Sequence, residues 1–360
     1  MAKHYIFLVH GMGNWDGDWS TQAKAIIGRH YDKGRYAFLG KRWPFDDYFK
    51  FEQINYNHIF EKYLEEAKKQ ADRLGQWNAL NQVLENGLLD VLTRIVKLAK
   101  TQPNKDNFAV THLADVALYM ATNLGELVKN EIASTIVDRL QALKFRYSEG
   151  DRWSIIAHSL GTRVMTEVLQ VGFMAQPSLR NFGKAQVLMM VANVSKLLEG
   201  IPPWNVAGNV YHNAVFPSSD VVGVCEHYIN IGHRLDPFSF IREFDPPPDF
   251  GDGFAFAEKR YHPVKLAGAD ITSKEIHSLE HYLEHPKVHT TLFRYLLSVT
   301  GSGAPTDAEM EEAMEAYRLN TLSAQVTESW RTALEKLKEQ PFDNFASIFA
   351  IWEKYGALLA

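Results

Sequence analysis

The chain has 360 residues, enough for one large α/β domain or two ordinary ones. Hydrophobic residues make up 46% and charged residues 22%, ordinary values for a globular protein. A formal net charge of −5 leaves no basic excess to neutralise phosphates, which argues against a nucleic-acid binder, and a single cysteine, Cys225, excludes an internal disulfide or a thiolate metal site.

Taken in chain order, Tyr5–Val9 is a short, continuous apolar run that stops at His10-Gly11-Met12-Gly13. It is too short for a signal-peptide core and reads as a buried strand ended by a glycine loop. Such strands, apolar without alternation, belong to parallel sheets covered on both faces. No segment reaches the roughly 18–20 apolar residues that span a bilayer. The expectation is a soluble, cytoplasmic protein with no transmembrane segment; peripheral contact with lipid stays open. Thr21–Arg29 has a helical pattern, and Phe51–Tyr56 reads as a second strand. From about residue 59 to 147, apolar residues recur three and four apart in two blocks separated by TQPNKDN. That is more helix than one crossover needs, so it is read as a large helical cap insertion. Strand signals return at Trp153–Ala157, Gln186–Val191 and Tyr228–Ile231. A helix spans about Pro286 to Leu297, with the proline suited to a first turn. After TGSGAPTD the remainder reads as two or three helices. Strands alternating with helices imply an α/β fold with a mostly parallel sheet flanked by helices. The expected organisation is a domain over residues 1–300 and a C-terminal helical extension over 301–360.

The stretch DRWSIIAHSLGTRV runs strand-like residues into Ala157-His158-Ser159-Leu160-Gly161 and restarts as a helix. A nucleophile on a strand–turn–helix elbow occupies a strained backbone, and its neighbours two residues away must be small because strand and helix pass close together. Ala157 and Gly161 meet that need around Ser159, although glycine is usual at the first position. The loop His10–Gly13 can aim a backbone N–H at the same point, and Leu160 offers another from the helix start, so that an oxyanion hole is available. A hydrolytic serine needs a base oriented by a carboxylate. Asp236, after the Tyr228–Ile231 strand, is the preferred acid and Asp220 its rival. His277, after Ile276 at the end of an extended segment, is the preferred base and His281 its rival. His285 reads as a helix-cap residue, and His289 falls inside that helix.

These features, FLVHGMG, IIAHSLG, INIGHRLDP and IHSLEHYLEHPKV in the order nucleophile, acid, histidine, resemble the α/β-hydrolase superfamily, in its lipase and serine-esterase branch. The resemblance covers roughly Tyr5 to Leu297 and implies an α/β-hydrolase fold. It implies Ser159 as nucleophile, His277 as general base and Asp236 as its orienter, with Met12 and Leu160 giving backbone oxyanion donors. The activity it implies is hydrolysis of a small-molecule carboxylic ester with an apolar part, without a metal or organic cofactor. A thioesterase or amidase on the same machinery, or a non-catalytic binding protein of the same fold, remains the alternative.

Other signals compete. His277-Ser-Leu-Glu280-His281 fits the H-x-x-E-H zinc pattern, with Glu309 or Glu312 downstream as third ligand, but leaves the elbow and the glycine loop without roles. Gly11, Gly13 and Gly17 miss the dinucleotide-binding spacing by one residue. Asn193-Val194-Ser195 fits a glycosylation acceptor in a chain with no sign of secretion. Trp15 and Trp19 follow the glycine loop and are candidates to line the mouth of the site.

Overall fold

The structure, a computed structural model, describes residues 2–11, 18–33, 44–60, 62, 119, 124–175, 181–196, 215–218, 223–241, 243–246, 260–268, 271–273, 275–298, 304–322 and 324–338. Six strands form one sheet: β1 (His4–Val9), β2 (Phe49–Ile54), β3 (Arg152–His158), β4 (Ala185–Val191), β5 (Cys225–His233) and β6 (Tyr261–Leu266). Their order is β2-β1-β3-β4-β5-β6, and every neighbouring pair is parallel. The fold is therefore α/β with an all-parallel sheet. Parallel neighbours need crossovers, so all strands deliver their C-terminal ends to one edge.

The period of two along each strand divides the core between the two faces. On one face Tyr5, Phe7 and Val9 of β1 join Trp153, Ile155 and Ala157 of β3 and Leu188 and Met190 of β4. The helices α3 (Leu124–Ala142) and α4 (Leu160–Ala175) cover this face with Ile132, Ile136, Val164 and Val168. On the other face Ile6, Leu8, Ile156, Met189 and Ile229 pack against α1 (Ser20–Gly28), α6 (Leu279–Glu284) and α7 (Pro286–Leu296). Each fully buried large apolar side chain contributes about 1.5–3 kcal/mol. This double coverage is why the central strands read as continuous apolar runs. Among the described residues no helix is long and apolar enough to cross a membrane.

Several boundaries differ from the sequence expectation. β2 begins two residues before Phe51 and ends at Ile54, because a short helix α2 (Phe45–Tyr48) delivers the chain directly into it. β6 was not anticipated; it contains Pro263 and Lys265, and an edge strand tolerates both. Of the segment read as a cap, Leu124–Ala142 is a helix whose Val128, Ile132 and Leu140 pack into the body of the domain. Most of the remaining cap segment lies outside the described residues. Beyond residue 300, α8 (Asp307–Arg318) starts with a capping box between Thr306 and Glu309, and α9 (Ala324–Lys338) follows. Met314, Trp330 and Leu334 of these helices are buried, the last two in the same apolar cluster as β1 and β3.

Candidate active site

Ser159 sits between the last residue of β3 and the first of α4, with φ at 52°, the left-handed region that a side chain adopts at a cost of about 1–3 kcal/mol. Its surroundings hold it there. The Ser159 N–H donates to Val191 O at the end of β4 (3.0 Å), and Thr162 returns both its N–H and its hydroxyl to Ser159 O (2.9 and 2.7 Å). Two glycines let the chain close in. A Cβ on Gly11 would stand 2.7 Å from Ser159 Cβ, and one on Gly161 would stand 2.4 Å from His10 O. Ala157, where the elbow usually has glycine, turns into the apolar cluster that also holds Leu160.

The end of β1 is fixed by aromatic contacts. The His10 ring stacks on Tyr56 (centroids 4.2 Å apart) and meets the edge of Trp19 (5.4 Å). The Tyr56 hydroxyl donates to His10 O at 2.8 Å. Burial drops His10 to a pKa of about 4, the hydrogen bond to Gly11 opposing it, so the ring is neutral near pH 7. The loop after β1 thus comes against the elbow with a defined course as far as Gly11. Met12 and Trp15 lie outside the described residues, as does Asp220. Trp19 is placed against His10.

Asp236 is fully buried in the turn between β5 and the short helix α5 (Pro237–Ile241). Its two carboxylate oxygens have separate tasks. Oδ1 accepts the Phe238 N–H (2.9 Å), the ordinary use of an aspartate that caps a turn. Oδ2 accepts from His277 Nδ1 (2.8 Å) and from the Tyr282 hydroxyl (2.6 Å). Burial alone would raise the Asp236 pKa; His277 and the donated hydrogen bonds outweigh it and hold the carboxyl below its ordinary value. Burial and the adjacent carboxylate push Tyr282 well up, so its hydroxyl keeps the proton it donates.

His277 completes the line. Nδ1–H faces Asp236, which leaves Nε2 to accept the Ser159 hydroxyl at 2.8 Å. Phe238 lies against the ring, with centroids 4.0 Å apart. Ser159, Asp236 and His277, distant in sequence, thus meet as one hydrogen-bonded chain of buried side chains at the C-terminal edge of the sheet. Leu160 is the first residue of α4, where helix N–H groups lack partners within the helix.

The rival histidines are placed elsewhere. His281 is buried on α6 near His233 (rings 5.7 Å apart), and among the described residues neither of its ring nitrogens finds a hydrogen-bond partner. His285 caps α7 through the Lys287 N–H (3.2 Å), and His289 Nδ1 reaches Leu283 O (3.1 Å). Both ring nitrogens of His277 are engaged by Asp236 and Ser159, and Glu309 serves the cap of α8, so the H-x-x-E-H residues do not converge as ligands. Among the described residues no three His, Cys, Asp or Glu side chains gather as a metal group. Asn193 is buried, its amide donating to Tyr228 Oη (3.2 Å) and Asn230 Oδ1 (2.9 Å), a setting unsuited to a glycan.

Sequence reasoning missed three kinds of support. Tyr282 follows His277 within the motif IHSLEHY, but its reach to Asp236 depends on α6 turning back over β5. His158, beside the serine, gave no signal of its own. The chain beyond residue 300 holds both loops: Trp330 Nε1–H donates to Leu235 O (2.9 Å), next to Asp236, and the Leu322 N–H donates to Ile271 O (2.7 Å), upstream of His277. No family model, curated protein or solved structure matches the chain.

Proposed function

We propose that the protein is a serine hydrolase of the α/β-hydrolase type, acting on carboxylic esters. One observation carries the reading: Ser159 on a left-handed elbow, 2.8 Å from His277, which in turn lies 2.8 Å from a fully buried Asp236. The order along the chain supports it, since serine, aspartate and histidine follow β3, β5 and β6 in turn. So does the position. In open parallel sheets, ligands bind beyond the strand ends where the strand order reverses. Here that point lies between β1 and β3, which carry the Gly11 loop and Ser159.

In this mechanism Ser159 Oγ attacks the ester carbonyl while its proton passes to His277 Nε2, and Asp236 stabilises the imidazolium. The carbonyl π pair moves to oxygen, and the Leu160 N–H is a donor for the resulting oxyanion; Met12 is the second donor that the family resemblance implies. His277 then protonates the leaving alcohol as the C–O bond breaks. Water, activated by the same histidine, releases the acid from the acyl-serine. The residues require no cofactor. A reducing, cytoplasmic setting belongs to the same reading, supported by the lone, buried Cys225, whose thiol burial holds protonated.

The test is turnover of p-nitrophenyl esters of short and medium chain length by the parent and by Ser159→Ala. Loss of about three orders of magnitude or more is expected. Equal turnover by the two proteins would assign the serine to the turn alone.

A further inference from the structure

His158 is the last residue of β3 and has no part in the chemistry just described. It is nonetheless buried, and its Nε2 lies 2.7 Å from the main-chain carbonyl oxygen of His277. A carbonyl only accepts, so the imidazole carries a proton on Nε2 and donates it. Burial, and His277 beside it, take the His158 pKa down to about 3. The ring is therefore neutral at any pH where ester hydrolysis would be assayed. It is also committed: the Nε2 proton is held by the carbonyl, so this ring is not a second base for Ser159.

The two ends of this hydrogen bond differ in how firmly they are built. β3 is a central strand, and His158 is paired with Val191 of β4. Its neighbours Ile155, Ile156 and Ala157 are fully or almost fully buried. His277, by contrast, lies outside the sheet, in a turn just before α6 starts at Leu279. Asp236 and Ser159 aim its side chain, but a side chain is aimed only as well as its Cα is placed. The residues are 119 apart in sequence, so only the tertiary fold brings them together.

We propose that His158 is a positioning residue that ties the main chain of His277 to the strand carrying Ser159, setting base and nucleophile at reacting distance before substrate arrives. This rests on Ser159 and His277 being nucleophile and base. A group misplaced by about 1 Å can cost about 100-fold in rate, which sets the scale of the effect.

The experiment compares His158→Gln, His158→Asn and His158→Leu with the parent on one p-nitrophenyl ester, alongside urea unfolding and inactivation by a fluorophosphonate. The glutamine amide can place an N–H near the position of Nε2, whereas asparagine is one methylene short and leucine has no donor. The expectation is that His158→Gln keeps kcat within about threefold, while His158→Asn and His158→Leu lose about ten- to a hundredfold in kcat with KM little changed. If His158→Leu does not fold, the Gln and Asn pair decides, since the two differ only in reach. Equal kcat in Gln and Asn, or parental kcat in Leu, overturns the positioning role while leaving the serine mechanism standing. A parent that the fluorophosphonate does not inactivate removes the serine reading, and the positioning role falls with it.

Discussion

Replacing Gly161 with alanine drives the Ser159 elbow away from the loop after β1. The new Cβ would stand 2.4 Å from His10 O and 2.9 Å from Val9 O. Both are backbone atoms at the end of a central strand, and His10 O is further held by the Tyr56 hydroxyl at 2.8 Å. Cβ contacts below 3.0 Å are essentially unknown, so the start of α4 must retreat by at least about 0.6 Å (3.0 − 2.4). Leu160 N–H and Ser159 Oγ lie one and two residues earlier and move with it. Overpacking of this kind costs about 1–3 kcal/mol. A displacement somewhat under 1 Å at the reacting atoms implies roughly ten- to a hundredfold in kcat. Urea unfolding followed by tryptophan fluorescence gives the first quantity and p-nitrophenyl ester turnover the second. A Gly161→Ala protein with parental stability and parental kcat would show that this contact relaxes freely. The reasoning that the elbow is pinned between β1 and β3 would then be wrong.

Three further outcomes follow from the same geometry. Tyr282→Phe removes one donor from Asp236 Oδ2 and should destabilise the protein by about 1.5–3 kcal/mol, the range for a hydrogen bond to a charged group. An unchanged urea midpoint in Tyr282→Phe would count against the bond. His277→Leu should abolish turnover, whereas His281→Leu should keep it and match or exceed parental stability, because both His281 nitrogens are buried with no partner among the described residues. Loss of activity in His281→Leu and its retention in His277→Leu would reverse the assignment.

The third concerns acid. His4 and His158 have folded pKa values near 3 and His10 near 4, against an ordinary 6.5, and burial is the main cause for all three. Below about pH 6.5 the unfolded chain therefore takes up protons that the folded chain refuses. Stability should fall as pH drops from about 6.5 towards 4, each residue adding up to about 1.4 kcal/mol per pH unit. The depressed Asp236 works in the same direction at lower pH, its contribution being lost as pH falls through its folded pKa. Urea midpoints that do not change between about pH 7 and pH 5 would contradict this.

The parts of the molecule legible in the sequence are those governed by local rules. β1, β3 and β4 are buried on both faces and so read as apolar runs, and Pro286 marks the start of α7. The serine elbow was legible because small residues must flank it; the contacts of Gly161 with His10 O and Val9 O give the reason. Asp236 was legible as a turn residue after a strand, and it is also a cap. β6 was not legible, since an edge strand with Pro263 and Lys265 lacks both the apolar run and the alternation. His277 was expected just past an extended segment and instead sits in a turn just before α6. The choice between His277 and His281 rests on which ring nitrogens face Asp236 and Ser159, a tertiary fact. The same holds for Tyr282, Trp330 and His158. The oxyanion donor expected at Met12 and the rival acid Asp220 lie outside the described residues.

The central claim is that Ser159 is a nucleophile activated by His277. The most direct measurement is to treat the parent and His277→Leu with a fluorophosphonate and map the adduct by peptide mass spectrometry. The account predicts one adduct on the parent, on Ser159, formed far more slowly or not at all in His277→Leu. A parent left unmodified, an adduct on another residue, or equal labelling without the histidine would contradict it.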